Sequence, residues 1–377
     1  MSYVHRIISE KILEVQKYYP VTAVTGPRQS GKTSLCRHLF PEYKYVNLED
    51  LTQRARAIDD PVNFIQTLGE RVIIDEVQNV PQIMSMIQVM VDEKPTLRYI
   101  LTGSTNLTLM KQMTQSLSGR VSLFTLLPFS FKEMTEEEKR LPTSRLLPRG
   151  QYPGILVNGI PSEIFYSNYY TTYVERDIRD LLKIKNIMQF DSFVRITAAR
   201  VGTEFNASQI AKEVGVSSPT ISEWLSLLHA SYITFPLRPY HTNISKQLTK
   251  MPKIYFYDTG LLCYLLGIET EDQYLGSHLK GNIFENMAVT ELIKSQYNSG
   301  QTPRISFYRE RNGKEIDVMM ETKEGINMYE IKAASTYKTE YSANMRYLAE
   351  KITEKTSKTV IYDGTSFAPS PINIREV

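Results

Sequence analysis

Cysteine is nearly absent from this chain: its 377 residues include only Cys36 and Cys263. They lie far apart with no partners at metal-ligand spacing. That excludes a disulfide-stapled scaffold and points to reduced thiols in a cytoplasmic protein. Tryptophan is single, although there are 24 tyrosines. No apolar run approaches the ~18 residues needed to span a bilayer, and Met1-Ser2-Tyr3-Val4-His5-Arg6 has no apolar signal segment. The expectation is no membrane span and no export. An excess of one charge is lacking too. A net charge of +3 permits nucleic-acid binding without arguing for it. What remains is an ordinary globular composition, 42% hydrophobic and 23% charged, in a chain long enough for two or three domains at roughly 100–200 residues each.

The richest stretch is Gly26-Pro27-Arg28-Gln29-Ser30-Gly31-Lys32-Thr33. It follows the β-prone Val21–Thr25 and precedes a helical pattern that starts with Ser34. This strand–loop–helix context suits a phosphate-binding loop. Glycines let backbone N–H groups curl around a phosphate, Lys32 reaches the β and γ oxygens, and Thr33 can ligate Mg²⁺. Arg28 either touches the phosphates or pairs with an acid. Val72-Ile73-Ile74-Asp75-Glu76 reads as a buried parallel strand ending in two acids. Asp75 would hold Mg²⁺ through water, and Glu76 would position or deprotonate an attacking water.

These motifs, with Gln78, Leu101-Thr102-Gly103-Ser104, Leu117-Ser118-Gly119-Arg120-Val121 and Leu127-Pro128-Phe129-Ser130-Phe131-Lys132-Glu133, resemble the prokaryotic predicted AAA-type P-loop ATPases that carry an uncharacterised C-terminal domain. The resemblance runs along nearly the whole chain. It implies an α/β architecture with an AAA-like parallel-sheet ATPase domain over 1–135 and a helical linker or lid over 136–190. A winged-helix domain would follow over 191–270, and a small restriction-endonuclease-like domain over 271–377. It also implies a polar γ-phosphate sensor, Ser104, with Thr102 and Asn106 as rivals. Arg120 becomes an arginine finger or sensor, against the alternative of a structural ion pair, and a finger would require a homo-oligomer. Tyr173–Ile178 matches the family as well. There Arg176 either acts on a neighbour's nucleotide or, with Glu175 and Asp177, forms helix-surface ion pairs.

Ala207–Leu228 carries a helix-turn-helix pattern. Ile210, Ala211 and Val214 face inward, Gly215 turns, Ser217 or Ser218 caps, and Ile221, Leu225 and Leu228 form the second buried stripe. Ile233–Leu237 and Ile254–Tyr257 read as wing strands, with Lys246, Lys250 and Lys253 placed for phosphates. Seven basic residues against five acids between 191 and 260 is a thin excess for a DNA binder, so DNA and a protein partner both stand.

In the last hundred residues, a helix over Gly281–Tyr297 carries Glu285. Strands hold Glu315-Ile316-Asp317 and Glu330-Ile331-Lys332. Alternation puts each pair on one face. If the turn centres on Lys323 and Glu324, Asp317 lies opposite Glu330 and Glu315 opposite Lys332; a shift of two keeps all four on a common face, and a shift of one separates them. The order helix Glu, then Asp, then Glu-x-Lys resembles the restriction-endonuclease and resolvase superfold. By that resemblance Glu285, Asp317 and Glu330 bind Mg²⁺ or Mn²⁺, Lys332 orients water or phosphate, and Arg304, Arg309, Arg311 and Lys314 steer the DNA backbone. Two outcomes are open, a cutting site or a fold kept for binding. The expectation is an ATP-dependent, DNA-directed protein.

Overall fold

The computed structural model describes residues 3–104, 116–178, 186–240, 251–310, 313–367 and 369–377, with the backbone alone for 175–178. The chain divides into two compact units. The first holds Met1–Pro128 with Ala230–Tyr232 and Tyr297–Gln301, and the second holds the remainder.

The first unit is built on five parallel strands, β1 (Val21–Thr25), β2 (Lys44–Asn47), β3 (Arg71–Asp75), β4 (Arg98–Gly103) and β5 (Val121–Thr125), in the order β2-β3-β4-β1-β5. A parallel sheet is covered on both faces, so its central strands are apolar without alternation. Every residue of β1 is buried. Val21, Ala23, Val72, Ile74 and Leu101 pack into one core with the helix Ile83–Glu93, whereas Val24, Ile73 and Ile100 pack into another with Ile8, Ile12 and Leu35. Successive residues on a strand point to opposite faces, which is why neighbours serve different cores. Asp50 and Asp60 cap the helices Leu51–Asp59 and Pro61–Leu68 through backbone N–H groups, Pro61 taking the first helical position.

The second unit contains one mixed sheet, β12-β11-β10-β9-β8-β6-β7. Its strands are β6 (Thr234–Pro239), β7 (Lys253–Phe256), β8 (Ile305–Arg309), β9 (Glu315–Thr322), β10 (Gly325–Lys332), β11 (Thr356–Tyr362) and β12 (Ile372–Asn373). The helices Ala207–Val214 and Ser218–Ala230 flank a left-handed Gly215, with Ile210, Ala211, Val214, Ile221, Leu225 and Leu228 buried and the Ser217 hydroxyl accepting from the Thr220 amide. β6 and β7 then pair antiparallel, Thr234 opposite Phe256. β6 also pairs parallel with β8, Arg238 opposite Ser306. The two strands expected to form a wing are therefore one edge of the same sheet that carries Asp317 and Glu330. No break between compact units falls near 190 or 270.

The charged, proline-bounded segment Glu133–Pro148 is helical over Glu136–Lys139 and Thr143–Arg149, within the expected helical linker, and capping boxes at Ser130 and Thr135 bury Glu133 and Glu138. The tyrosine-rich segment Ile164–Leu182 has a helical sequence pattern, and it is α-helical over Ser162–Tyr169 and π-helical over Tyr170–Ile178. Of that stretch, Arg179 onward lies outside the described residues, as do Asn106, Lys246, Lys250 and Arg311, and nothing is described of the Arg176 side chain. Among the described residues no helix is long and apolar enough to cross a membrane.

Candidate functional site

In the first unit, the loop after β1 turns at the carboxyl ends of the strands, where open α/β sheets bind ligands. Gly26 has φ +147, and a Cβ there would meet the Leu126 carbonyl oxygen at 2.1 Å. Gln29 and Gly31 are also left-handed, with φ 61 and 94. Lys32 opens the helix Lys32–Leu39, buried, and its Nζ donates to the carbonyls of Gly26 at 3.1 Å and Pro27 at 2.8 Å. Burial pulls the Lys32 ammonium below its ordinary pKa, with Glu76 and Asp75 opposing. The Ser30 hydroxyl is buried without a hydrogen-bond partner, and Ser34 is exposed. Arg28 pairs with Glu49, Nη2 to Oε1 at 3.9 Å.

Asp75 gathers the site. Its Oδ2 accepts from the Thr33 hydroxyl at 2.7 Å and the Tyr45 hydroxyl at 2.7 Å, and its Oδ1 accepts from Thr102. Glu76, left-handed at φ 53, has its Oε2 bonded by the Ser104 hydroxyl at 3.1 Å and by the Gln78 amide. So Ser104 stands on Glu76 and Thr102 on Asp75. Two groups were not legible beforehand. Arg6, 3% exposed, donates to the Ser30 carbonyl at 3.0 Å and the Leu127 carbonyl at 2.7 Å, clamping the loop from behind. Tyr45 reaches Asp75 from β2. Neither sits in a motif, so only the fold brings them in. The loop suits a phosphate chain: a cradle too tight for a side chain, an unsatisfied buried hydroxyl, and a lysine resting on loop carbonyls. Thr33 beside Asp75 is the donor pair that would hold Mg²⁺.

Arg120 is elsewhere. Its carbonyl accepts from the Val21 amide, at the amino end of β1, and its guanidinium grips Asp92. It stands at the edge of the sheet opposite the phosphate loop of its own chain.

In the second unit a cavity of about 350 Å³ is lined by Glu285, Glu315, Asp317, Glu330, Lys332 and Lys253, among others. The β9–β10 hairpin pairs Thr322 with Gly325 and Val318 with Tyr329, so the turn falls at Lys323 and Glu324. The same register one residue on puts Asp317 beside Glu330. The Ile331 amide donates to Asp317 Oδ2 at 2.7 Å, and Lys332 Nζ lies 2.7 Å from Glu330 Oε1 and 3.9 Å from Asp317 Oδ2. Glu330 Oε2 is buried with no partner. Glu285 lies on the helix Lys280–Asn298. Asn286 anchors that helix by bonding both the amide and the carbonyl of Phe256 on β7, at 2.7 and 2.9 Å.

Burial lifts the pKa of both Glu285 and Glu330 to about 7, reinforced in each by Asp317, and burial raises Asp317 itself. Glu285 is not open as expected. Its Oε1 accepts from the Tyr255 hydroxyl at 2.5 Å and from Lys253 Nζ at 3.3 Å. Lys253 also lies 2.6 Å from Glu315 Oε1. The sequence pattern places Lys253 as a wing phosphate contact; the structure does not. Lys253 is 5% exposed and belongs to this cavity. Strand alternation turned it inward with Tyr255. Among the described residues no three histidine, cysteine or carboxylate side chains group so as to hold a metal ion. Two carboxylates, Asp317 and Glu330, are what the hairpin presents, and Mg²⁺ is commonly held by one or two carboxylates with waters. Arg309 is half-turned to Glu204 and Glu315, at 3.2 and 3.7 Å.

Residues 18–135 match the family model of an AAA domain, and the first unit is an AAA-type P-loop ATPase domain. Residues 143–272 and 280–374 match two domains of unknown function, DUF8612 and DUF4143. An uncharacterized protein of Mycobacterium tuberculosis is 29% identical over 342 residues, covering 84% of this chain and 71% of its own. An uncharacterized protein of Haemophilus influenzae is 24% identical over 315 residues, covering 74% and 75%. Among solved structures, the Walker-type ATPase of Pyrococcus abyssi aligns at 17% identity and a TM-score of 0.45, over 69% of this chain and 94% of that one.

Proposed function

We propose that this chain hydrolyses ATP with Mg²⁺ in its first unit and acts on DNA through its second. The observation that carries the ATPase reading is the pair of contacts Thr33–Asp75 and Ser104–Glu76 beside the buried Lys32. Lys32 would leave its two loop carbonyls for the β and γ phosphates. Thr33 and Asp75 would hold Mg²⁺, directly and through water, and backbone amides from Arg28 to Ser34 would line the phosphates, with Gly26 and Pro27 shaping the turn. Glu76 would orient the attacking water and take its proton, and Ser104 would carry the state of the γ-phosphate to Glu76. Lys32→Ala should weaken ATP binding. Unchanged binding would place the nucleotide elsewhere.

The DNA-directed reading is supported by Asp317, Glu330 and Lys332 around one cavity, with the unpartnered Glu330 Oε2 facing a site of excess negative charge. A divalent ion bound there, Mg²⁺ or Mn²⁺, lowers the pKa of a coordinated water and neutralises phosphate charge. Asp317 and Glu330 would hold it, and Lys332 would orient water or phosphate. The deciding experiment is cleavage of supercoiled, branched and linear DNA by wild type and Asp317→Ala, with and without ATP and with Mg²⁺ or Mn²⁺. Metal-dependent cutting lost in the variant supports a nuclease. A second reading, an ATP-driven switch that binds DNA or protein without cutting, is favoured by one observation: Glu285 is already bonded to Tyr255 and Lys253. No cleavage of any DNA form by wild type would select it.

A further inference from the structure

Lys253 is a charged side chain that the proposed reaction does not use. It projects from β7, 6% exposed, into a cavity whose other residues come from later in the chain or from the Gly202–Glu204 segment. Its ammonium bridges two carboxylates on separate elements, Glu285 of the helix Lys280–Asn298 at 3.3 Å and Glu315 of β9 at 2.6 Å. The Phe307 ring stands 5.4 Å away, so the charge has an apolar wall on one side. Removing a buried ammonium from water is costly unless it is paired and bonded, and here it is paired twice. Glu285 has a second partner, the Tyr255 hydroxyl.

The cavity is therefore divided. On one side Glu285 and Glu315 are neutralised by protein. On the other side Asp317 and Glu330 share Lys332, and Glu330 Oε2 is left buried and unpartnered. Five carboxylates line the cavity against three cationic side chains. On the side of Asp317 and Glu330 two carboxylates face one lysine.

Phosphodiester sites built on several carboxylates can hold two metal ions about 3.5–4 Å apart. Resting on the cation-binding reading above, we propose that the Lys253 ammonium occupies the place of one of those ions, so that this cavity loads a single divalent cation, at Asp317 and Glu330. Glu285 is then a partner of Lys253 and not a ligand of the ion. A lysine in that place supplies fixed positive charge that no chelator removes.

The test is a Mn²⁺ titration of the nucleotide-free full chain, read by the electron paramagnetic resonance of free Mn²⁺. The Asp317→Asn variant subtracts any ion held elsewhere. One ion per chain is expected in wild type, lost in Asp317→Asn. Glu285→Gln should keep that ion with affinity changed by less than about threefold, since Gln still accepts from Lys253 and Tyr255. A ligand or an essential supporting group would cost about tenfold or more. Lys253→Met, close in length but uncharged, should admit a second ion at Glu285 and Glu315. Two ions in wild type beyond those that Asp317→Asn retains, or a tenfold loss in Glu285→Gln, overturns the assignment of Lys253 and leaves the cation site standing. So does a Lys253→Met chain that melts like wild type and still binds one ion. No Mn²⁺ bound by wild type removes both readings. If Lys253→Met does not fold, Glu285→Gln decides alone.

Discussion

Arg120 holds Asp92 through two nitrogens, Nε to Oδ1 at 2.5 Å and Nη2 to Oδ2 at 2.8 Å, at the amino end of the strands. The phosphate loop lies at the other end of β1, one five-residue strand away, or roughly 17 Å at ~3.3 Å per residue. Arg120 cannot touch a phosphate bound to its own chain. If it serves hydrolysis, it serves a neighbour's site. Specific ATPase activity should then rise with protein concentration. Arg120→Ala mixed with Glu76→Gln should regain activity that neither shows alone, because one mixed interface keeps both groups. A fully active monomer by light scattering would leave Arg120 with its ion pair only.

Glu76→Gln should bind ATP as wild type does and hydrolyse it about 10²-fold more slowly or worse, the scale of a lost general base. The amide retains the contacts with Ser104 and Gln78 but cannot take a proton. Single-turnover phosphate release beside an equilibrium binding isotherm separates the two effects. Equal loss of binding and turnover would mean that Glu76 shapes the pocket.

Gly26→Ala should cost the loop its shape. The added methyl would stand 2.1 Å from the Leu126 carbonyl oxygen, at φ +147, a backbone region that L-residues rarely adopt. ATP affinity should fall more than about tenfold, or 1.4 kcal/mol, while far-UV circular dichroism stays native. Unimpaired binding would show that the loop can retreat from β5.

His229 should make the second unit acid-sensitive. Its Nδ1 lies 2.9 Å from the Thr234 hydroxyl, and burial lowers its pKa from 6.5 to about 4. Between those values the unfolded chain takes up a proton that the folded chain refuses. Stability from this group is full above about 6.5 and is lost as pH falls toward 4, by about 3 kcal/mol at most. His229→Gln should flatten that slope in urea melts at pH 7, 6 and 5. An unchanged slope would assign the acid sensitivity to other groups.

The phosphate loop was readable because its conformation is a local matter. Glycines at left-handed positions, a lysine at the helix start and acids at a strand end are specified by adjacent residues. The β9–β10 register was readable for the same reason. Alternation puts Asp317 and Glu330 on one face in any register shifted by an even number, and the turn at Lys323 and Glu324 then sets them side by side.

Tertiary structure alone decided the rest. β6 pairs with β8 across more than sixty intervening residues, and that pairing merges two expected domains into one sheet. Packing also decided Lys253: a lysine between two strands reads as solvent-facing until its own strand and the helix bearing Glu285 are in place. Arg6 and Tyr45 reach the nucleotide site from outside any motif. Local propensity and hairpin register are set within a few residues, whereas burial, charge pairing and strand order are set by which distant segments meet, and only packing selects those.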